Sequence, residues 1–544
     1  MKHRLLVSTL ASIGIAAGLS ACGSRDTAQT TPDYAARGQQ DWEHVKVLAD
    51  DAMEGRRAGT PGHRRAAEYV AEQFKNAGLS PGGDDGYFQR VNLESRTIRE
   101  DLSSLALATP KGVQPLKLGD DAIFSLRGNI ASEVDAPIVF VGHGLRLPQY
   151  GHDDLTGVDL KGKVVAYITS APNSVPGAAG AHFGSASERW KQYHAAGAVG
   201  VLTIPNRFAM DLPWDRIAAR RTDPQMRLAA PATDLFPDQK IWAGLNPERF
   251  SRLLEGTGQS EEAILAKLEK GEALPHFDLK VRIRAKIAAD STTTVSENVI
   301  GVLEGSDKTL AAQYVALSGH LDHLGISEKG EGDRLHNGAM DNATGIATLI
   351  SVARQLRAAP VKPKRSIVFV AVTAEEFGLL GSRAYAENAA RTGMNIVANL
   401  NSDMYMPIYP MKRLVVFGLE ESSLGDDARA IAADLGVEPM TDPQPQRNRF
   451  IRSDQYSFIR TGVPALSLKI GYAPGSPEEA IDEQWFKERY HAPGDDLAQP
   501  VDFGAMGLYA EFLQRLTMRV ANAAGPPAWL ESSVFATIQK AAAP

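Results

Sequence analysis

The apolar run Val368-Phe369-Val370-Ala371-Val372 stops on Thr373-Ala374-Glu375-Glu376, and this junction constrains the chain more than any other segment. A buried hydrophobic strand that ends on two adjacent carboxylates places two like charges at a sheet edge. They repel one another unless a cation or a proton compensates them. The fold must therefore bring something positive to that strand end.

Other strand-like runs finish the same way. Tyr314 to Gly319 ends in His320-Leu321-Asp322, and Ile396 to Ser402 ends in Asp403. Gly338-Ala339-Met340-Asp341-Asn342-Ala343-Thr344-Gly345 opens an apolar helical stretch, Ile346 to Leu356, so Asp341 stands at a helix entrance. Tyr490-His491-Ala492-Pro493-Gly494-Asp495 forms a Pro/Gly loop much later. In an open, mostly parallel sheet the carboxyl ends of the strands face one crevice, where ligands bind. Two histidines and several carboxylates in one crevice predict a metal site.

Imidazole together with carboxylate suits zinc, whereas magnesium or calcium prefers an all-oxygen shell. Five ligand candidates exceed the three protein ligands of one catalytic zinc, unless a carboxylate bridges two ions about 3.5–4 Å apart. Two Zn²⁺ against three carboxylates leave one positive charge for a bridging hydroxide. Glu375 then stays free as a general base.

These motifs resemble the M28 family of zinc aminopeptidases. That family reads a His-x-Asp strand end, a D-N-A-[ST]-G helix start, a Glu-Glu pair, an Asp strand end and a late His-x-P loop, and all five occur here in that order. The resemblance implies that His320 and Asp403 hold one zinc, Glu376 and His491 the other, and that Asp341 bridges them. It also implies a general base at Glu375, an Asp322 that orients His320, and a cis peptide at Asp341-Asn342. Met53-Glu54-Gly55-Arg56-Arg57-Ala58-Gly59-Thr60-Pro61-Gly62 resembles the opening loop of the same family. Ser453-Asp454-Gln455 departs from it at Gln455, since relatives often carry Ser-Asp-His there. His143, His152, His182 and His194 have no ligand-spaced neighbours and read as ordinary histidines; His323 and His336 flank the site without reading as ligands.

At the N-terminus, Lys2 and Arg4 precede the apolar stretch Leu5 to Leu19, followed by Leu19-Ser20-Ala21-Cys22-Gly23. The pattern predicts a secretory signal with a lipoprotein box at residues 1–22, not a membrane span. Cys22 is the only cysteine, so no intrachain disulfide can form. A lipid on Cys22 would anchor an exported protein to a membrane, with residues 23–38 as a flexible tether.

At 544 residues the chain is too long for one small core. The net charge of −7, with no basic stripe, argues against nucleic acid as a partner. Helical periodicity covers Trp42 to Asp51 and His63 to Ala77, the second closed by Gly78. From about residue 131 short strands appear, then a helix at Ala186 to Ala196. This segment, 131–274, resembles an inserted protease-associated (PA) domain. The remainder, 39–130 and 275–522, reads as a mixed, mostly parallel α/β sheet with helices on both faces, and the tail 523–544 shows no strong pattern.

By resemblance, the chain is an exported, lipid-anchored exopeptidase with two zinc ions that removes N-terminal residues from peptides. A single-zinc glutaminyl cyclase, a carboxypeptidase or dipeptidase, and a non-catalytic receptor-like module are the alternatives. The residues carry no signature of a particular oligomeric state.

Overall fold

The computed structural model describes residues 33–327 and 332–538. Cys22 and the predicted signal and tether up to residue 32 lie outside the described residues. Among the described residues, no helix is long and apolar enough to cross a membrane.

A ten-stranded mixed sheet organises the first layer. Its centre is four neighbouring parallel strands in the spatial order Ser366–Val372, Gln313–His320, Asn395–Asn401 and Ala465–Gly471. Their apolar runs are buried on both faces, as parallel strands covered by helices must be. Antiparallel strands Phe88–Ile98 and Ala289–Leu303 extend one side, and Arg413–Phe417 extends the other.

One face is covered by the helices Tyr34–Leu48, Pro61–Asn76, Thr344–Ala358 and Phe503–Asn522, whose apolar residues share a single core with the strands. The opposite face carries Leu380–Thr392, whose Tyr385, Ala386 and Ala389 pack on Val368 and Val370. The Pro61–Asn76 helix starts where its chemistry demands: the Thr60 hydroxyl accepts from the N–H of His63 at 3.3 Å, and Pro61 occupies the first turn. The helix predicted from Trp42 begins earlier, at Tyr34, and ends at Leu48. Gly345 is required at the start of its helix, because an added Cβ would lie 2.4 Å from the carbonyl oxygen of Ser402.

A second, eight-stranded sheet has a parallel centre, Glu133–Val141, Val164–Thr169, Gly200–Pro205 and Ile241–Leu245. It reaches beyond the 131–274 span expected for an inserted domain. His276–Lys286, then Ser104–Thr109 and Gly112–Leu116, extend it beyond Glu133–Val141, and Ala122–Phe124 pairs with Ile241–Leu245 at the opposite edge. Within that span, Gln225–Leu228 leaves the second sheet and pairs with Phe88–Ile98 of the first. Arg227 then binds the Glu94 carboxylate at 2.7 Å across this pairing. A strand from the stretch of chain that builds the second sheet thus forms the edge of the first.

The tail also departs from its featureless sequence. Trp529 and Phe535 are buried against Phe417, Phe450 and Tyr456, and the Trp529 indole N–H donates to the carbonyl of Gly462 at 3.0 Å. Two widely spaced aromatic anchors hold this segment, so no periodicity announces it.

Candidate metal centre

The carboxyl ends of three neighbouring parallel strands deliver the site. His320 is the last residue of its strand, Asp403 follows Asn401 by two residues, and Glu375 and Glu376 follow Val372 after a two-residue turn. The turn bends through Ala374, whose φ of 54° starts the chain back over the sheet edge. Asp341 comes from the segment ahead of Thr344–Ala358 and is joined to Asn342 by a cis peptide bond.

These residues form two donor clusters that share Asp341. His320 Nε2 stands 3.2 Å from Asp341 Oδ1 and 3.2 Å from Asp403 Oδ1. His491 Nε2 stands 3.2 Å from Asp341 Oδ2 and 3.3 Å from Glu376 Oε2. Donors about 2.0–2.1 Å from a tetrahedral zinc lie roughly 3.3 Å from each other, so both clusters have the spacing of a zinc shell. Glu376 Oε1 is buried without a hydrogen-bond donor, as is each nitrogen of the adjacent His323. Nitrogen and carboxylate donors gathered at this distance, with orphaned buried atoms among them, fit zinc.

His323 is the residue that sequence reasoning set aside. Its Nδ1 lies 2.7 Å from Glu376 Oε1 and 3.9 Å from Asp341 Oδ2, close in distance but not aligned as a hydrogen bond with Glu376. It therefore belongs to the second cluster and could share its ion. The only hint in sequence is its position one residue after His-Leu-Asp. His336 stays outside the clusters, with Nε2 paired to the Ser327 hydroxyl at 2.9 Å.

The surrounding contacts fix the donors. His320 Nδ1 lies 3.0 Å from the carbonyl oxygen of Asp322, an arrangement in which the Nδ1–H donates and Nε2 is free for a metal. The Asp322 carboxylate does not reach that ring. It accepts instead from the backbone N–H groups of Glu375, at 3.0 Å, and Glu376, at 3.4 Å. Asp322 thus orients His320 through its main chain and braces the Glu375-Glu376 turn through its side chain. Asp495 accepts from the N–H groups of Met340 at 2.9 Å and Asp341 at 3.0 Å.

Arg56, from the opening loop, is fully buried and donates to the carbonyls of Leu48, Leu321, Asn337 and Gly338 at 2.6–2.8 Å. It ties the strand end after His320 to the segment ahead of Asp341. Gln455 points away from the site, bonding Asn401 and the carbonyl of Phe450.

Glu375 lines the cavity. Burial pushes its carboxyl well above the usual range; His320 opposes this, while Asp403, Asp454 and Glu376 push further up. Asp454 is pushed up to about 7, chiefly by burial, and both its oxygens lack a hydrogen-bond partner.

The centre opens into a cavity of about 370 Å³. One wall belongs to the segment between Phe88–Ile98 and Ala289–Leu303, through Arg127 and Asp211. That segment is fastened over the crevice by Arg216, which donates to the carbonyls of Lys487 at 3.0 Å and Tyr490 at 2.5 Å, and by Arg447, which pairs with Asp211 at 3.0 Å. His182 Nδ1 lies 2.9 Å from the Tyr456 hydroxyl. A second cavity, of about 840 Å³, shares Arg127, Gly378, Leu379 and Ile451 with the first. His143 and His152 sit in the second layer, away from both clusters.

Comparison with known proteins places this geometry. Residues 298–516 match the model of Peptidase family M28. A probable leucine aminopeptidase 2 of Aspergillus oryzae is 29% identical over 214 residues, covering 37% of this chain and 40% of that protein. Aminopeptidase YwaD of Bacillus subtilis is 26% identical over 235 residues, 42% of this chain and 45% of its own length. The chain thus spans less than half the length of these curated relatives. Among solved structures, an aminopeptidase from Aneurinibacillus sp. strain AM-1 superposes with a TM-score of 0.52 at 19% identity, covering 92% of this chain and 98% of that one. At that identity the likeness concerns the fold.

Proposed function

We propose that this chain, which carries a Peptidase family M28 domain over residues 298–516, is a zinc-dependent aminopeptidase that hydrolyses the N-terminal peptide bond of its substrates. The observation that carries the reading is the division of one carboxylate: Asp341 Oδ1 faces His320 and Asp341 Oδ2 faces His491, each at 3.2 Å. A bridging aspartate between two nitrogen donors is what a two-zinc centre needs.

His320, Asp341 and Asp403 would hold one ion, and Asp341, Glu376 and His491 the other. When bound, the zinc pair supplies a water of lowered pKa and polarises the scissile carbonyl. Glu375 takes the proton of the attacking water and delivers it to the amine that leaves when the C–N bond breaks. Asp322 holds that turn in place through the Glu375 N–H. The 370 Å³ cavity has room for a chain end rather than the middle of a folded protein. The adjoining larger cavity gives the rest of the peptide a path out. We propose further that the protein is exported and anchored through a lipid on Cys22.

The test is metal-resolved kinetics. Protein stripped by chelator should lose hydrolysis of leucine p-nitroanilide, regain it on adding zinc, and bind two equivalents of zinc per chain. Pyroglutamate formation from N-terminal glutamine, with one zinc bound and no peptide hydrolysis, would overturn the reading.

A further inference from the structure

The charges lining the catalytic cavity do not all find partners. Asp341, Glu376 and Asp403, together with a bridging hydroxide, would match the four positive charges of two Zn²⁺, and Glu375 stands apart as the base. Of the remaining charged groups, Asp211 pairs with Arg447, at 3.0 Å, and with Arg452. Lys469 pairs with Asp482 at 2.7 Å, behind the wall. Two guanidinium groups are left over, Arg127 and Arg449, and both line the cavity.

Neither has a carboxylate within ion-pair distance among the described residues. Arg127 makes one hydrogen bond, from Nη2 to the carbonyl oxygen of Glu376 at 3.3 Å; desolvation and the nearby Arg220 disfavour its charge, and Glu375 and Glu376 favour it only through space. Arg449 lies over the ring of Phe486, with Cζ 5.1 Å from the centroid, and its Nη2 is a buried atom with no acceptor. Asp211 and Asp442 act on Arg449 only through space. At Arg449 a guanidinium nitrogen removed from water without an acceptor is costly, whereas Arg127 is exposed and reaches the cavity from its mouth; a planar, forked donor is suited to a carboxylate above other groups. Arg449 comes from the loop before the buried Gln455 helix, whereas Arg127 comes from the second layer, so two separate parts of the chain contribute an unpaired cation to one cavity.

We infer that Arg127 and Arg449 recognise a carboxylate on the substrate close to the scissile bond. The inference rests on the peptidase reading above and adds the substrate class. The carboxylate has two sources, an acidic side chain at the N-terminus of the peptide or the free C-terminus of a very short peptide. Both present the same group to the same two guanidiniums.

The experiment uses the zinc-loaded full chain and two matched substrate pairs. One compares glutamyl with glutaminyl p-nitroanilide; the other compares Leu-Gly with Leu-Gly amide. In at least one pair kcat/KM should favour the acid over its neutral isostere by roughly tenfold to a hundredfold, the range of a hydrogen bond to a charged group. That ratio should shrink towards one in Arg449→Gln and in Arg127→Gln, while Arg449→Lys should retain part of it. The pair that shows the preference identifies the source of the carboxylate. Reading a ratio within each variant separates recognition from a general loss of folding or metal. Equal kcat/KM within both pairs, or a preference that survives both glutamine variants, would overturn the inference and leave the peptidase reading standing. No hydrolysis of any of the four substrates would instead count against the peptidase reading.

Discussion

Asp495 Oδ2 accepts the backbone N–H of Asp341 at 3.0 Å. The loop that carries His491 therefore also holds, four residues on, the main chain of the aspartate that His491 faces. One short segment positions a donor and its shared partner together. Replacing Asp495 with Ala should leave the fold intact and weaken zinc binding roughly tenfold to a hundredfold, as loss of an outer-sphere partner does elsewhere. Competition against a chelator of known affinity reads this directly, and an unchanged zinc affinity would remove Asp495 from the centre's support.

Glu375→Gln should retain both zinc ions and lose roughly 10² to 10⁴ in turnover, because the amide keeps the shape and cannot accept a proton. Metal content by mass spectrometry alongside kcat distinguishes a base from a ligand. Loss of zinc in this variant would mean that Glu375 binds metal.

Arg56→Met should be strongly destabilising. The buried carbonyls of Leu48, Leu321 and Asn337 lose the Arg56 donor, while that of Gly338 keeps the Ala343 N–H at 3.2 Å. Unsatisfied buried groups cost about 1–3 kcal/mol each, so a loss of at least about 3 kcal/mol is expected in chemical denaturation. A denaturation midpoint close to that of the parent protein would contradict it.

Two buried histidines predict acid sensitivity. Burial pushes His63 down to about 3 and His182 down to about 4, with Arg56 and Arg64 adding to the effect at His63. At His182, Glu188 opposes the shift while Arg460 and Lys191 add to it, and Tyr456, Phe183 and Phe535 pack against the ring. A folded-state value below the unfolded one means that the unfolded chain binds the extra proton first. Stability is therefore full above about pH 6.5, falls as the pH drops, and stops falling from this cause near 4 for His182 and near 3 for His63. Between pH 6.5 and 4.5 the His182→Gln variant should lose less stability than its parent; an identical slope would exclude His182 as a contributor.

Location is tested without reference to activity. If Cys22 carries lipid, the protein should sediment with membranes and be released by detergent rather than by salt, since acyl chains contribute about 0.8 kcal/mol per buried CH₂. Cys22→Ser should abolish lipid labelling. Wild-type protein recovered soluble, with Cys22 removed, would refute the anchor.

Much of the centre could be read from the chain because its donors stand at ends of strands and at one helix entrance, where ligand-type residues interrupt strong apolar patterns. His320, Asp403 and Glu376 each follow such a run, and Asp341 precedes one. His323 was not legible in the same way, since it follows its strand by three residues and no period marks it. The carboxylate of Asp322 was misdirected for a different reason: sequence spacing does not reveal whether a residue works through its side chain or its carbonyl. Asp495 and Arg56 act on backbone groups, which carry no residue-specific signal. Arg127 and Asp211 lie far from the motifs, and nothing local to them marks the cavity they join. That Ser104–Thr109 and His276–Lys286 pair within the second sheet is not legible in sequence, because they alternate in the same manner as strands of the first.

The edge strand Gln225–Leu228 and the wall residues Arg127 and Asp211 have an evolutionary consequence. The metal donors and Glu375 are encoded between residues 320 and 491, whereas part of the wall that meets the substrate is encoded between 127 and 211. Mutation or recombination within the second stretch can change what the cavity admits without touching a donor. Drift in what the cavity admits is uncoupled from drift at the donors, and chains with the same centre are free to diverge in the shape of its wall.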